Sequence, residues 1–269
     1  MFDGRLAGHQ EAMNLSGQTV LVTGANGGIG RAIVEALAKR DLHILAGVRD
    51  PGDFDLVSAG GAREVRPVRI DLSSREAVDA SLADLGDARV DVLVNNAGQY
   101  LGGLFERQDL GELYEMIQVN VAGLVHLTHA LLPGMQRRGR GKIVNNASIA
   151  GYAYFPGSAV YSATKAAVVA FSEALRRELE ESEVSVLHLI TPGVETDMLA
   201  EVRDSYEAHL DDTSKLDGIE PREWADRVVK AIEEDDEVLN PTGPERLAKL
   251  ASRGPAGVLD AVLSRAFDR

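Results

Sequence analysis

Two residues in the stretch Tyr161-Ser162-Ala163-Thr164-Lys165 could do proton chemistry together. The residues after them, Ala166 to Phe171, contain neither Pro nor Gly, which predicts a helix. On a helix, side chains four positions apart lie one turn above each other on the same face. A tyrosine hydroxyl ordinarily titrates near about 10, so at neutral pH it is a reluctant proton carrier. A nearby ammonium favours the tyrosinate. Bringing the hydroxyl near neutrality takes roughly 4 kcal/mol, which requires a partly desolvated pocket. Alone, the pair is short and common, and coincidence on one helix face is the better explanation.

What precedes it in the chain changes that balance. Gln18 to Thr23 reads as a buried strand. It runs into Gly24-Ala25-Asn26-Gly27-Gly28-Ile29-Gly30 and then into a helical pattern from Arg31 to Ala38. Between strand and helix, glycines allow a tight turn, close approach to a phosphate and close helix–strand packing. The amides at the helix start then suit a pyrophosphate, against the plainer reading of a structural turn. His43 to Val48 reads as a second strand ending in Arg49-Asp50. An Arg there accommodates a ribose 2′-phosphate and predicts NADP, with Arg31 adding support; an acid reaching the ribose hydroxyl would predict NAD instead.

Further strands are expected over 65–70, 90–94, 142–146 and 184–190, with a short one near 237–241. Pro67 argues against a central place for the third. Helices are expected over 74–86, over 106–135 with a break, from Tyr161 to about Glu181, and over 222–234 around Trp224. Asn120 falls inside the second of these, where an amide is unfavourable by propensity. His43 and His188 read as structural strand residues. Alternating strands and helices predict an α/β fold: one Rossmann-type, doubly wound parallel sheet with helices on both faces, binding ligands beyond the strands' carboxyl ends. Residues 1–15 read as an N-terminal arm, 16–243 as the catalytic domain, 197–220 as an acidic, irregular, mobile substrate lid, and 244–269 as a helical tail.

Composition narrows the partners. The 269 residues are 45% hydrophobic and 26% charged, ordinary for a chain with a sizeable core. With no cysteine, thiol nucleophiles and thiolate metal sites are excluded, no metal is expected, and a cytoplasmic setting fits. The net charge of −14 disfavours nucleic acid and anionic membranes. No apolar run is read as a leader or a membrane span.

Over about residues 16–200 the chain resembles the classical short-chain dehydrogenases/reductases. The resemblance rests on Thr23-Gly24-x-x-x-Gly28-Ile29-Gly30, Asp71, Asn95-Asn96-Ala97-Gly98, Asn120, Ser148, Tyr161-x-x-x-Lys165 and Pro192-Gly193 through Thr196, in that order. It implies Tyr161 as general acid/base and Lys165 as the residue that lowers its pKa and binds the nicotinamide ribose. Ser148 would hold the substrate oxygen, and Asn120 a water in a proton relay. Gly24, Asn26, Gly28, Ile29 and Gly30 would cradle the pyrophosphate, and Arg49 would reach the ribose phosphate. Asp71 and Leu72 would lie by the adenine, Asn96, Ala97 and Gly98 along the cofactor, and Val194 and Thr196 at the carboxamide. The reaction implied is hydride transfer between a nicotinamide and a carbonyl or secondary alcohol. A homodimer or homotetramer is implied too. Gln99, Tyr100, Leu101, Tyr152, Tyr154, Phe155, Met198 and Leu199 would surround an apolar alcohol or ketone. An epimerase or dehydratase of the same fold, or a non-catalytic NADP-binding sensor, is the rival reading.

Overall fold

The computed structural model describes residues 12–55, 58, 60–210, 213 and 216–241. The tail 244–269 and residues 1–11 of the arm lie outside the described residues. Seven parallel strands form one sheet in the order β3-β2-β1-β4-β5-β6-β7. They are β1 (Thr19–Thr23), β2 (His43–Val48), β3 (Glu64–Arg69), β4 (Val92–Asn95), β5 (Gly141–Asn146), β6 (Val184–Leu189) and β7 (Val238–Leu239). Order reverses between β1 and β4, which opens a crevice at the carboxyl ends. Pro67 sits in β3, the edge strand, where its missing N–H costs no ladder bond.

Alternate residues of each strand feed two cores, as the twofold strand period requires. Val20, Val22, Ile44 and Val94 pack with α1 (Gly28–Leu37) and α7 (Pro221–Glu233), the latter burying Trp224 completely. Leu21, Leu45, Leu93 and Ile143 pack on the other face with α2 (Arg75–Leu85), α4 (Leu124–Arg137) and α5 (Ala159–Glu178). Helices thus cover both faces of one doubly wound sheet.

The break expected in 106–135 is a π-helical segment. Helix α3 (Leu110–Ile117) continues through a wide turn, Gln118–Gly123, into α4. Contrary to expectation, the run Leu110–Arg137 is long and apolar enough, by length and composition, to cross a membrane. Its Leu113, Met116, Leu124, Leu127 and Met135 are nevertheless buried inside the protein. The expectation of an irregular lid also needs correction, because Asp197–Tyr206 is a helix, α6. Its buried residues are Leu199 and Tyr206.

Candidate active site

A cavity of about 980 Å³ opens at the carboxyl ends of the strands. One end is floored by the glycine turn. Gly24 takes φ +64°, and a Cβ on Gly30 would collide with the Gly24 carbonyl oxygen. Gly27 caps α1 without a side-chain bond and the first turn carries no acid, so the amides of α1 face the cavity uncompeted. Gly24, Asn26, Gly28, Ile29 and Gly30 all line it, a wall that fits a pyrophosphate. Arg49 lines it as well. Asp50 does not; its carboxylate accepts from Gly52 N at 2.8 Å and caps its own turn. Arg31 is turned away, bonded to Glu35 (3.1 Å) and the Asp55 carbonyl (2.9 Å). Asp71 and Leu72 form the far wall. Burial works against the Asp71 carboxylate, yet bonds from Ser73 hold its pKa below the usual range.

The strand ends are tied together by polar side chains. Thr23 Oγ1 accepts from Asn96 N (3.0 Å) and Ala97 N (2.9 Å). Asn146 Nδ2 donates to Asn96 Oδ1 at 2.9 Å, and Thr191 Oγ1 donates to Asn146 Oδ1. This lattice fixes Asn96, Ala97 and Gly98 along the cavity, which Val194 and Thr196 also line.

Ser148, Tyr161 and Lys165 meet on the inner wall. Ser148 follows β5; Tyr161 and Lys165 lie one turn apart on α5, as their spacing predicts. Lys165 Nζ donates to the Asn146 carbonyl at 2.9 Å and stands 5.7 Å from the Tyr161 ring centre. Electrostatics here depart from expectation. Burial pushes the Tyr161 hydroxyl up to about 12, a bond with Ser148 opposes this, and Tyr100 adds to it. Burial brings the Lys165 ammonium down to about 8. Desolvation disfavours both charged forms and is the largest cause of both shifts.

Four expected residues lie elsewhere. Asn120 is buried behind Gly98 and does not line the cavity: Oδ1 accepts from Gln99 N (2.7 Å), while Nδ2 donates to Gln99 O (2.9 Å) and Thr164 Oγ1 (3.2 Å). Its amide is spent locking the 97–100 loop to the π-helical turn. Tyr154 is 65% exposed and outside the cavity, and Leu101 and Tyr152 are also outside it. Tyr152 OH instead meets His188 Nε2 at 3.2 Å. Gln99, Tyr100, Phe155, Met198 and Leu199 do form the wall, joined by Pro156, Val202, Tyr206, Leu210 and Leu216, which the sequence reading missed.

Known proteins carry the same pattern. Residues 18–207 match the short chain dehydrogenase family. The chain belongs to that family of NAD(P)-dependent oxidoreductases acting on carbonyl and alcohol groups. It is similar to the ketoacyl reductase HetN of Nostoc sp., 34% identical over 81% of this chain and 76% of that one. It is also similar to the 3-oxoacyl-[acyl-carrier-protein] reductase FabG of Vibrio harveyi, 32% identical over 73% of this chain and 81% of that one. Among solved structures, a short chain dehydrogenase from Burkholderia cenocepacia in complex with NADP superposes with a TM-score of 0.76. It is 28% identical, over 96% of this chain and 100% of that one. A short-chain dehydrogenase from Sphingobium yanoikuyae in complex with NADPH gives 0.74 at 28% identity, over 92% and 93%.

Proposed function

We propose that this enzyme reduces an uncharged, largely apolar ketone with NADPH, Tyr161 delivering the proton. The observation that carries the reading is the convergence of Ser148, Tyr161 and Lys165 on one wall of a cavity whose other end is the glycine turn. Bound there, the nicotinamide supplies the hydride. The chain's residues do the rest. Ser148 and Tyr161 hold the carbonyl oxygen, and Tyr161, kept protonated by burial, gives up its proton as charge develops. Lys165 and the lattice around Asn146 hold the ribose side. A Cβ on Gly98 would come within 3.5 Å of Lys165 Nζ, and Asn120 fixes that loop. Arg49 at the cavity, with Asp50 committed to its own turn, favours the 2′-phosphorylated cofactor; the two solved neighbours are named as complexes with NADP and with NADPH.

The substrate end is walled by Ile149, Phe155, Pro156, Met198, Leu199 and Val202. Among the described lining residues the cations are Arg49 and Lys165, the latter held by the Asn146 carbonyl, while Asp197 begins α6 and Asp217 follows it. A carboxylate or phosphate on the substrate would meet no countercharge there. NADPH oxidation should therefore run on acetophenone and 1-tetralone with kcat/KM at least about tenfold above acetoacetate or acetoacetyl-CoA. The opposite ranking would overturn the substrate class. Tyr161→Phe should keep NADPH binding and lose at least about 10²-fold in turnover; turnover within tenfold of the parent would sink the acid assignment.

Leu110, Tyr114, Ile117 and Val125 form an exposed apolar stripe along α3 and α4. It supports a homodimer or homotetramer, which the sedimentation mass of the parent and of Tyr114→Glu would test. A cytoplasmic location fits the cysteine-free composition.

A further inference from the structure

A cluster of hydroxyl groups sits behind Tyr161 that the reaction as described does not use. Tyr100 follows the Asn95–Gly98 run, and its ring stands edge-on to that of Tyr161, centroids 5.0 Å apart and planes at 75°. Its hydroxyl meets Ser158 Oγ at 3.1 Å and Ser205 Oγ, on α6, at 2.9 Å. Ser158 Oγ also meets Tyr206 OH at 3.0 Å, and Tyr206 donates onward to the Pro156 carbonyl.

Two details show that this cluster is built rather than incidental. Ser158 occupies the N-cap position of α5, where serine normally bonds the helix amides, yet its hydroxyl makes no cap. It is given over to the two tyrosines instead. Gly102 leaves the space: any Cβ there would strike the Tyr100 hydroxyl and Ser205. The cluster therefore joins the loop after β4, the start of the helix carrying Tyr161, and the helix that roofs the substrate end.

We propose that Tyr100 is a positioning residue whose ring fixes the plane of Tyr161 and whose hydroxyl ties that ring to α6, so that Tyr161 takes its working orientation when α6 is docked over the cavity. This rests on Tyr161 being the acid. An edge-to-face neighbour restricts rotation of the tyrosine ring, and a displacement near 1 Å at a reacting group costs about 10²-fold in rate. Separating the ring contact from the hydroxyl bonds needs two variants.

In the full-length enzyme, Tyr100→Phe keeps the ring and removes the tie; Tyr100→Ala removes both. NADPH binding within about threefold of the parent confirms that each variant is folded. With 1-tetralone as probe, Tyr100→Phe should raise KM about tenfold with kcat within about threefold, and Tyr100→Ala should lower kcat by about 10²-fold. Amide exchange over 197–206 should quicken at least about fivefold in Tyr100→Phe, and Tyr161, read by ultraviolet difference against each variant's Tyr161→Phe partner, should titrate lower in Tyr100→Ala. Parent-like kcat in Tyr100→Ala overturns the positioning role, and unchanged exchange over α6 overturns the tie. The exchange and titration readouts need no substrate, so they decide the proposal even if Tyr161→Phe retains turnover and the acid assignment fails.

Discussion

Lys165 donates from its ammonium to the backbone carbonyl of Asn146 at 2.9 Å, and the Asn146 side chain in turn bridges Asn96 and Thr191. The cation at the centre of the site is thus anchored to the end of β5, in a chain of polar bonds that crosses β4, β5 and β6. Its position is set by the sheet, and its charge is set by burial.

That burial makes Lys165 a cost to the fold. Its pKa falls from 10.5 to about 8. Below about pH 8 the lysine is protonated in both folded and unfolded chains, and the folded state bears the full desolvation cost of about 3 kcal/mol. Between pH 8 and 10.5 the unfolded chain holds the extra proton, so this contribution makes stability rise with pH until the cost is gone. Lys165→Met removes the charge and leaves the Asn146 carbonyl unpaired, which offsets about 1 kcal/mol. The variant should be about 2 kcal/mol more stable at pH 7, lose that advantage by pH 10.5, and lose most of its turnover. Denaturant midpoints at the two pH values check this; equal parent and variant midpoints at pH 7 would refute it.

Arg49 and Asp50 are adjacent but face different tasks. Only Arg49 lines the cavity, and Asp50 is occupied by Gly52 N. Arg49→Ala should weaken NADPH about 10–100-fold and leave NADH within about threefold. Parallel titrations of nucleotide fluorescence would show it. Equal losses for both nucleotides would mean that Arg49 supports the loop and does not read the phosphate.

Gly30 is fixed by backbone, not by taste for flexibility. A Cβ there would collide with the Gly24 carbonyl and approach Asn96 Nδ2 to 2.7 Å. A carbonyl held in a tight turn has nowhere to go, so overpacking of this kind costs about 1–3 kcal/mol. Gly30→Ala should lower the melting temperature and abolish NADPH binding, measured by calorimetry and titration. Retained binding would show that the turn yields.

Much of this was legible in the sequence because it depends on local pattern. The strand–glycine–helix run, the Tyr161 to Lys165 spacing and the period-2 strands each encode their own geometry. Pro67 even marked its strand as an edge. What escaped reading depends on contacts between distant segments. Tyr154 and Phe155 are neighbours of similar type, and only the path of the loop sends one to solvent and the other to the cavity. Lys165 and Tyr161 looked like a charge pair; the enclosing wall instead makes desolvation the main cause of both shifts. The acidic stretch after Thr196 hid a helix, though Leu199, Val202 and Tyr206 fall at helical intervals within it. That apolar spacing was the available signal, masked by the charges between.

The same helix offers a last test. Arg203 on α6 grips Glu195 with both terminal nitrogens, at 2.9 and 2.6 Å, and its Nε donates to the Leu216 carbonyl at 3.1 Å. Glu195 Oε1 also accepts from Gly218 N at 2.8 Å, and Val194 bridges Ile219. One guanidinium therefore joins α6 to the two loops beside the substrate end. The pair is partly exposed and screened by solvent, so its loss should change global stability little. Its effect should instead be local. Arg203→Leu should raise KM for 1-tetralone about five- to tenfold while NADPH affinity stays within about threefold, because the glycine turn and Arg49 lie at the other end of the cavity. Steady-state kinetics beside an NADPH titration separates the two. A parent-like KM would mean that the Arg203 guanidinium is not needed to hold α6 over the cavity.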